Sequence, residues 1–155
     1  MTELRAELRD LYDDYASSLD DMDLDAWCGF FTDDCTYKVI SFENYSEGLP
    51  LALIECRGIG MVRDRVAAIR ETAVYAPRQL RHFLSGVRVD GVERDFIAAR
   101  ANFLIAESLS DREPQIAMVG RYLDRLVRIG KALKFRERLC VYDNYRIRTS
   151  LVAPV

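Results

Sequence analysis

The order of apolar patterns along the 155 residues predicts an α+β domain, with helices first and a strongly curved, mostly antiparallel β-sheet after them. Three observations carry that expectation. Helical periodicity is confined to the stretch before residue 72; four long runs rich in β-forming side chains follow residue 81; the breaks between those runs hold turn chemistry suited to antiparallel connections. Helices packed into the concave face of such a sheet would use every element.

The first segment is an amphipathic helix, because Leu4, Leu8, Leu11, Tyr12, Tyr15, Ala16 and Leu19 make one apolar stripe while Arg5, Arg9, Asp10, Asp13 and Asp14 lie mostly off it. Asp20-Asp21-Met22-Asp23 breaks the pattern and supplies a cap for a short second helix through Leu24, Trp27 and Phe30. Residues 35–42 are β-formers and predict a strand. Residues 43–50 hold Asn44, Gly48 and Pro50 and read as a loop, and 51–56 as a short strand. Ile59, Val62, Val66 and Ile69 recur at helical spacing, so a third helix covers about 60–72. The runs 81–89, 98–108, 116–129 and 133–142 are the long strands, broken at Asp90-Gly91, between Asp111 and Pro114, and at Gly130-Lys131. In the last run, alternation places Leu133, Phe135, Leu139 and Val141 on one face. Lys134, Arg136, Arg138 and Tyr142 fall on the other, with Glu137 the exception. No repeat, linker or low-complexity segment divides the chain, so residues 1–155 form a single domain.

Composition removes several function classes. The 25 acidic and 22 basic residues leave a net charge of −3, which gives no electrostatic footprint for nucleic acid. The apolar runs are too short for a membrane-spanning helix, and the opening residues lack the apolar core of a secretory leader. A cytoplasmic location is expected. Cys28, Cys35, Cys56 and Cys140 are scattered, with no Cys-x-x-Cys pair, so they read as buried small hydrophobes rather than zinc ligands. Nineteen of the bases are arginine, the type favoured where planar hydrogen bonding is needed at partner surfaces.

The tests for catalytic chemistry are mostly negative. Asp21, Asp23 and Asp25 alternate like a calcium loop, but Ala26 and Thr32 stand where that loop needs glycine and glutamate. No phosphate-binding or dinucleotide-binding glycine pattern occurs. His82 is the single histidine, so neither a two-histidine–carboxylate iron site nor a Rieske cluster can be built on this chain. Two readings of His82 stay open: a hydrogen-bonded structural residue at a strand start, or a general acid–base paired in a cone-shaped cavity with Tyr12, Asp33 or Asp34.

The order Tyr12, Tyr15, Asp20, Trp27, Phe30-Phe31-Thr32-Asp33-Asp34-Cys35 and Tyr37 resembles the opening of the small (β) subunits of aromatic-ring-hydroxylating dioxygenases. Met61-Val62 with Asp64-Arg65, Arg81-His82, the block Arg138-Leu139-Cys140-Val141-Tyr142-Asp143 and the last six residues fall where that family has similar motifs. Glu43-Asn44, Glu47-Gly48-Leu49-Pro50 is similar to the subgroup acting on aromatic carboxylates such as salicylate, anthranilate or terephthalate. The resemblance implies an NTF2-like cone, the fold shared with ketosteroid isomerase and scytalone dehydratase. It also implies a division of labour. A large (α) subunit carries the Rieske [2Fe-2S] cluster and the mononuclear Fe(II). The small subunit carries no catalytic residue, metal or cofactor and assembles with it, commonly as three of each (α3β3) with contacts between small subunits.

For a scaffold, function is surface. Arg136, Arg138, Tyr142, Tyr145, Arg146 and Arg148 are of the types enriched at interfaces and are the candidate subunit contact, weighed evenly against an ordinary solvated sheet face. The apolar stretch from Leu151 to Val155 is expected to dock on its own body or on a neighbour. A scaffold can fill its cone with side chains, for which Trp27, Phe30, Phe31 and Phe83 have the volume. The alternatives are a stand-alone isomerase or dehydratase using Tyr12, Asp33, Asp34 and His82, and a ligand-binding module of the same fold; both need an open pocket.

Overall fold

The apolar stripe of the first segment becomes helix α1 (Thr2–Asp20), with Leu8, Tyr12, Tyr15, Ala16 and Leu19 buried. The structure is a computed structural model describing residues 1–71, 78–144, 146–147 and 153–155. After α1 the Asp23 carboxylate accepts a hydrogen bond from the Ala26 N–H at 3.1 Å, capping the short helix α2 (Leu24–Cys28). Strand β1 (Phe31–Ser41) begins four residues earlier than its β-forming run suggested. The expected loop after it contains one helical turn, α3 (Phe42–Ser46), because Ser41 accepts from the Asn44 N–H and supplies a cap. Strand β2 (Ile54–Arg57) and helix α4 (Ile59–Glu71) complete the first half. Four long strands follow: β3 (Arg78–Val92), β4 (Ile97–Leu109), β5 (Gln115–Ile129) and β6 (Ala132–Tyr142).

All six strands form one sheet in the order β2-β1-β6-β5-β4-β3. Strands β3 to β6 are a sequential antiparallel meander, the architecture that the turn chemistry predicted. Among the described residues the one parallel contact, β1 beside β6, joins this meander to the β1–β2 pair. Register slips interrupt the β1–β6, β3–β4, β4–β5 and β5–β6 ladders, and such bulges bend a sheet and sharpen its twist. The core comes from α1, α2, α4 and the inner faces of the strands.

One of those slips corrects the sequence reading of β6. The ladder runs Leu126–Phe135 and then Arg125–Glu137, so Arg136 is an extra residue and the alternation changes phase there. Phe135, Arg138, Cys140 and Tyr142 consequently all fall in the buried set, and Arg138 is fully buried instead of facing solvent. Phe83 is corrected in the other sense: it is 60% exposed and takes no part in filling the cone.

Candidate functional site

The inner end of the cone is built on Arg138. Its side chain reaches the interior from β6 because of the phase change, and Asp124 meets it from the adjacent β5, in direct register. Arg138 Nε and Nη2 donate to the two Asp124 carboxylate oxygens at 2.9 and 2.7 Å, and both side chains are completely enclosed. The Tyr12 hydroxyl, from α1, donates to the same carboxylate. Around the guanidinium stand four aromatic rings, with Tyr122 at 3.8, Phe135 at 3.9, Tyr15 at 4.2 and Tyr12 at 4.8 Å. Cation–π attraction and one bidentate ion pair thus replace the water that the charge gave up. Burial by itself would pull the Arg138 pKa down; Asp124 more than offsets it and holds the cation well above its ordinary value. Burial, with Asp124 beside it, keeps the Tyr12 hydroxyl protonated far above the usual phenol range.

The chain's later residues close this region. Ala153 and Val155 are buried, and the Val155 carbonyl accepts from Tyr15 Oη at 2.6 Å and Tyr37 Oη at 3.1 Å. The Val155 N–H donates back to Tyr37 Oη at 2.8 Å. The expected docking of the apolar tail on its own body therefore holds for residues 153–155; residues 151 and 152 lie outside the described residues. Trp27 and Phe31 pack edge-on against Tyr37 at 5.3 and 5.7 Å, in the filling role expected of them, with Phe30 partly buried beside Tyr15.

The four cavity candidates do not converge. Tyr12 is committed to Asp124, while Asp33 and Asp34 lie on the exposed bulge of β1, where Asp34 accepts from Thr32 Oγ1 at 2.8 Å. His82 is held elsewhere. Its Nδ1 donates to Asp20 Oδ1 at 2.6 Å, and its backbone N–H donates to the same carboxylate at 3.0 Å. The imidazole is enclosed, and its Nε2 has no hydrogen-bond partner among the described residues. Sequence reading missed Asp20 as the partner of His82 and Asp124 as the partner of Arg138. A signal for the second was present: Met118, Gly120, Tyr122, Asp124 and Leu126 share one phase of β5, so the carboxylate falls on the inward row.

Of the contact candidates, Arg136 is half-buried with its guanidinium 5.8 Å from the Phe96 ring, Tyr142 is 9% exposed and Arg146 is exposed. Tyr145 and Arg148 lie outside the described residues. Among the described residues no three His, Cys, Asp or Glu side chains gather as metal ligands. With one histidine in the chain, these residues do not fit either iron centre of a Rieske oxygenase. No described helix is long and apolar enough to cross a membrane.

A curved sheet closed over helices, with its interior filled by rings and one ion pair, defines a cone-type α+β protein. The profile of the SnoaL-like domain matches residues 1–139, and the chain belongs to that family. The small subunit of anthranilate 1,2-dioxygenase from Burkholderia cepacia is 31% identical over 149 residues, spanning 96% of this chain and 92% of that one. A β subunit of terephthalate 1,2-dioxygenase from Comamonas is 28% identical over 141 residues, spanning 91% and 92%. A solved Novosphingobium aromaticivorans structure, described as the β subunit of an aromatic-ring-hydroxylating dioxygenase, aligns with a TM-score of 0.90 at 34% identity over 99% and 98% of the two chains. Within its family, the chain is a homologue of the small subunits of aromatic-ring-hydroxylating dioxygenases.

Proposed function

We propose that this chain is the non-catalytic small subunit of a multicomponent dioxygenase that oxidises a carboxylate-bearing aromatic ring. It supports assembly of large subunits that carry the Rieske [2Fe-2S] cluster and the mononuclear iron, in the cytoplasm, as three copies of each. The observation that carries this reading is the state of the cone. An isomerase or dehydratase needs acid–base groups converging on an open pocket. Here Tyr12 and Arg138 are locked onto Asp124, His82 onto Asp20, and the buried Val155 onto the Tyr15 and Tyr37 hydroxyls. Both relatives are subunits of dioxygenases named for rings bearing a carboxylate, anthranilate and terephthalate, which supports the substrate class.

The test is co-expression with the large subunit, sizing of the complex, and assay of ring hydroxylation by the large subunit with and without this chain. A stable complex in which all iron purifies with the large subunit is the expected result. Absence of any complex, together with turnover of a small ring by this chain alone, overturns it.

A further inference from the structure

Three guanidinium groups from three elements border one surface groove of about 510 Å³: Arg5 near the start of α1, Arg88 on β3 and Arg100 on β4. Arg88 and Arg100 are direct partners in the β3–β4 ladder, so two like charges stand opposite each other, an arrangement that costs stability in a sheet. Asp90, also on the groove, compensates one of them, with Arg100 Nε 3.2 Å from its Oδ1. Arg5 and Arg88 make no side-chain hydrogen bond or ion pair with any described residue. The ladder slips on both sides of this spot, between Ser85 and Arg88 and between Val89 and Gly91. Bulges of that kind re-aim side chains, and they occur disproportionately beside functional sites.

The side-chain charges therefore do not add to zero locally. Three guanidinium cations and one carboxylate leave two positive charges around a concavity whose remaining walls are Met1, Thr2 and the apolar Val89. Its volume falls in the range of roughly 300–1,000 Å³ usual for small-molecule sites. Guanidinium groups bind carboxylates and phosphates through paired, parallel hydrogen bonds. We propose that this groove binds a small organic dianion, a dicarboxylate or a phosphate monoester, with Arg5 and Arg88 supplying the two uncompensated charges. The site involves none of the buried residues that fill the cone.

The experiment titrates the full chain with phthalate and, separately, with phenyl phosphate, following heat of binding at low and at near-physiological salt. One of the two probes saturates, which identifies the source of the dianion, and its affinity falls at least about fivefold with added salt because the arginines are exposed. Arg88→Gln and Arg5→Gln each weaken binding by about tenfold or more, whereas Arg112→Gln, on the exposed turn beyond β4, leaves it unchanged. Without ligand, Arg88→Gln raises the melting temperature, since it relieves the opposed charges; this readout also shows that the variant folds. The proposal is overturned if neither probe saturates below about 10 mM, well beyond the weak end of specific binding. It is equally overturned if binding persists in both variants, or if only an acidic peptide binds and neither small dianion does.

Discussion

Replacing Asp124 with asparagine keeps the shape of the side chain and removes its charge. In the native protein this carboxylate receives Arg138 Nε and Nη2 and the Tyr12 hydroxyl, with no solvent access to either member of the pair. The substitution leaves a guanidinium enclosed among four rings and facing an amide whose N–H2 group is itself a donor. Breaking a buried pair in this way costs about 3–5 kcal/mol. For a domain of this length each kcal/mol lowers the melting temperature by roughly 2–4 °C, so the expected fall is on the order of 10–15 °C. Thermal and urea unfolding of Asp124→Asn measure it, and the double variant Asp124→Leu/Arg138→Met supplies the decisive comparison. With no charge left inside, the double variant loses mainly the acceptor of Tyr12, a cost of about 1–3 kcal/mol. It should be more stable than the single variant. A double variant as unstable as Asp124→Asn, or a single variant within about 1 kcal/mol of native, would refute the claim that an uncompensated charge dominates the site.

Other expectations follow from the same packing. At Gly120 a Cβ atom would lie 2.1 Å from the Val141 carbonyl oxygen and 2.8 Å from Tyr142 Cα, so Gly120→Ala must part β5 from β6. Its cost is about 3 kcal/mol, the upper end for overpacking, read as a lower urea midpoint. Burial, with Cys56 second, pushes the Cys35 thiol up to about 11, and burial also raises Cys140, Tyr15, Tyr37 and Tyr122. The folded state holds these protons after the unfolded chain has released them. Stability from Cys35 is therefore complete below about pH 8 and falls as pH rises from there through about 11, and the loss from the other four continues beyond that, as a pH series of denaturation midpoints will show. Tyr37→Phe removes both hydrogen bonds to Val155, and hydrogen exchange at the Val155 amide should quicken while the strand core stays protected.

Much of this architecture was legible because its signals are local. The stripe from Leu4 to Leu19 and the breaks at Asp90-Gly91 and Gly130-Lys131 each lie within a few residues, and α1 and the β3–β6 meander follow from them. What failed involved long range or phase. The parallel contact of β1 with β6 joins residues about a hundred positions apart, and no turn motif announces it. A single extra residue at Arg136 reversed the assignment of Arg138, since period-two alternation has no memory across a bulge. The short cap at Ser41 turned an expected loop into α3. The candidate site was half legible. Tyr12 and Arg138 were singled out for separate roles, yet they meet at Asp124, which alternation along β5 placed inward and which the sequence reading passed over.

The seating of Val155 between Tyr15 and Tyr37 bears on the order in which the molecule is made. During synthesis, α1 and β1 emerge early, but the peptide group that satisfies their two hydroxyls comes 140 and 118 residues later. The β3–β6 meander pairs neighbours in sequence and is free to form as it leaves the ribosome, whereas the closing contacts must await the late segment. Until then the nascent cone presents apolar rings and polar hydroxyls at its open centre, a surface suited to capture by chaperones. The rings and hydroxyls around Val155 thus stay without their closing partner until the last residues have been made.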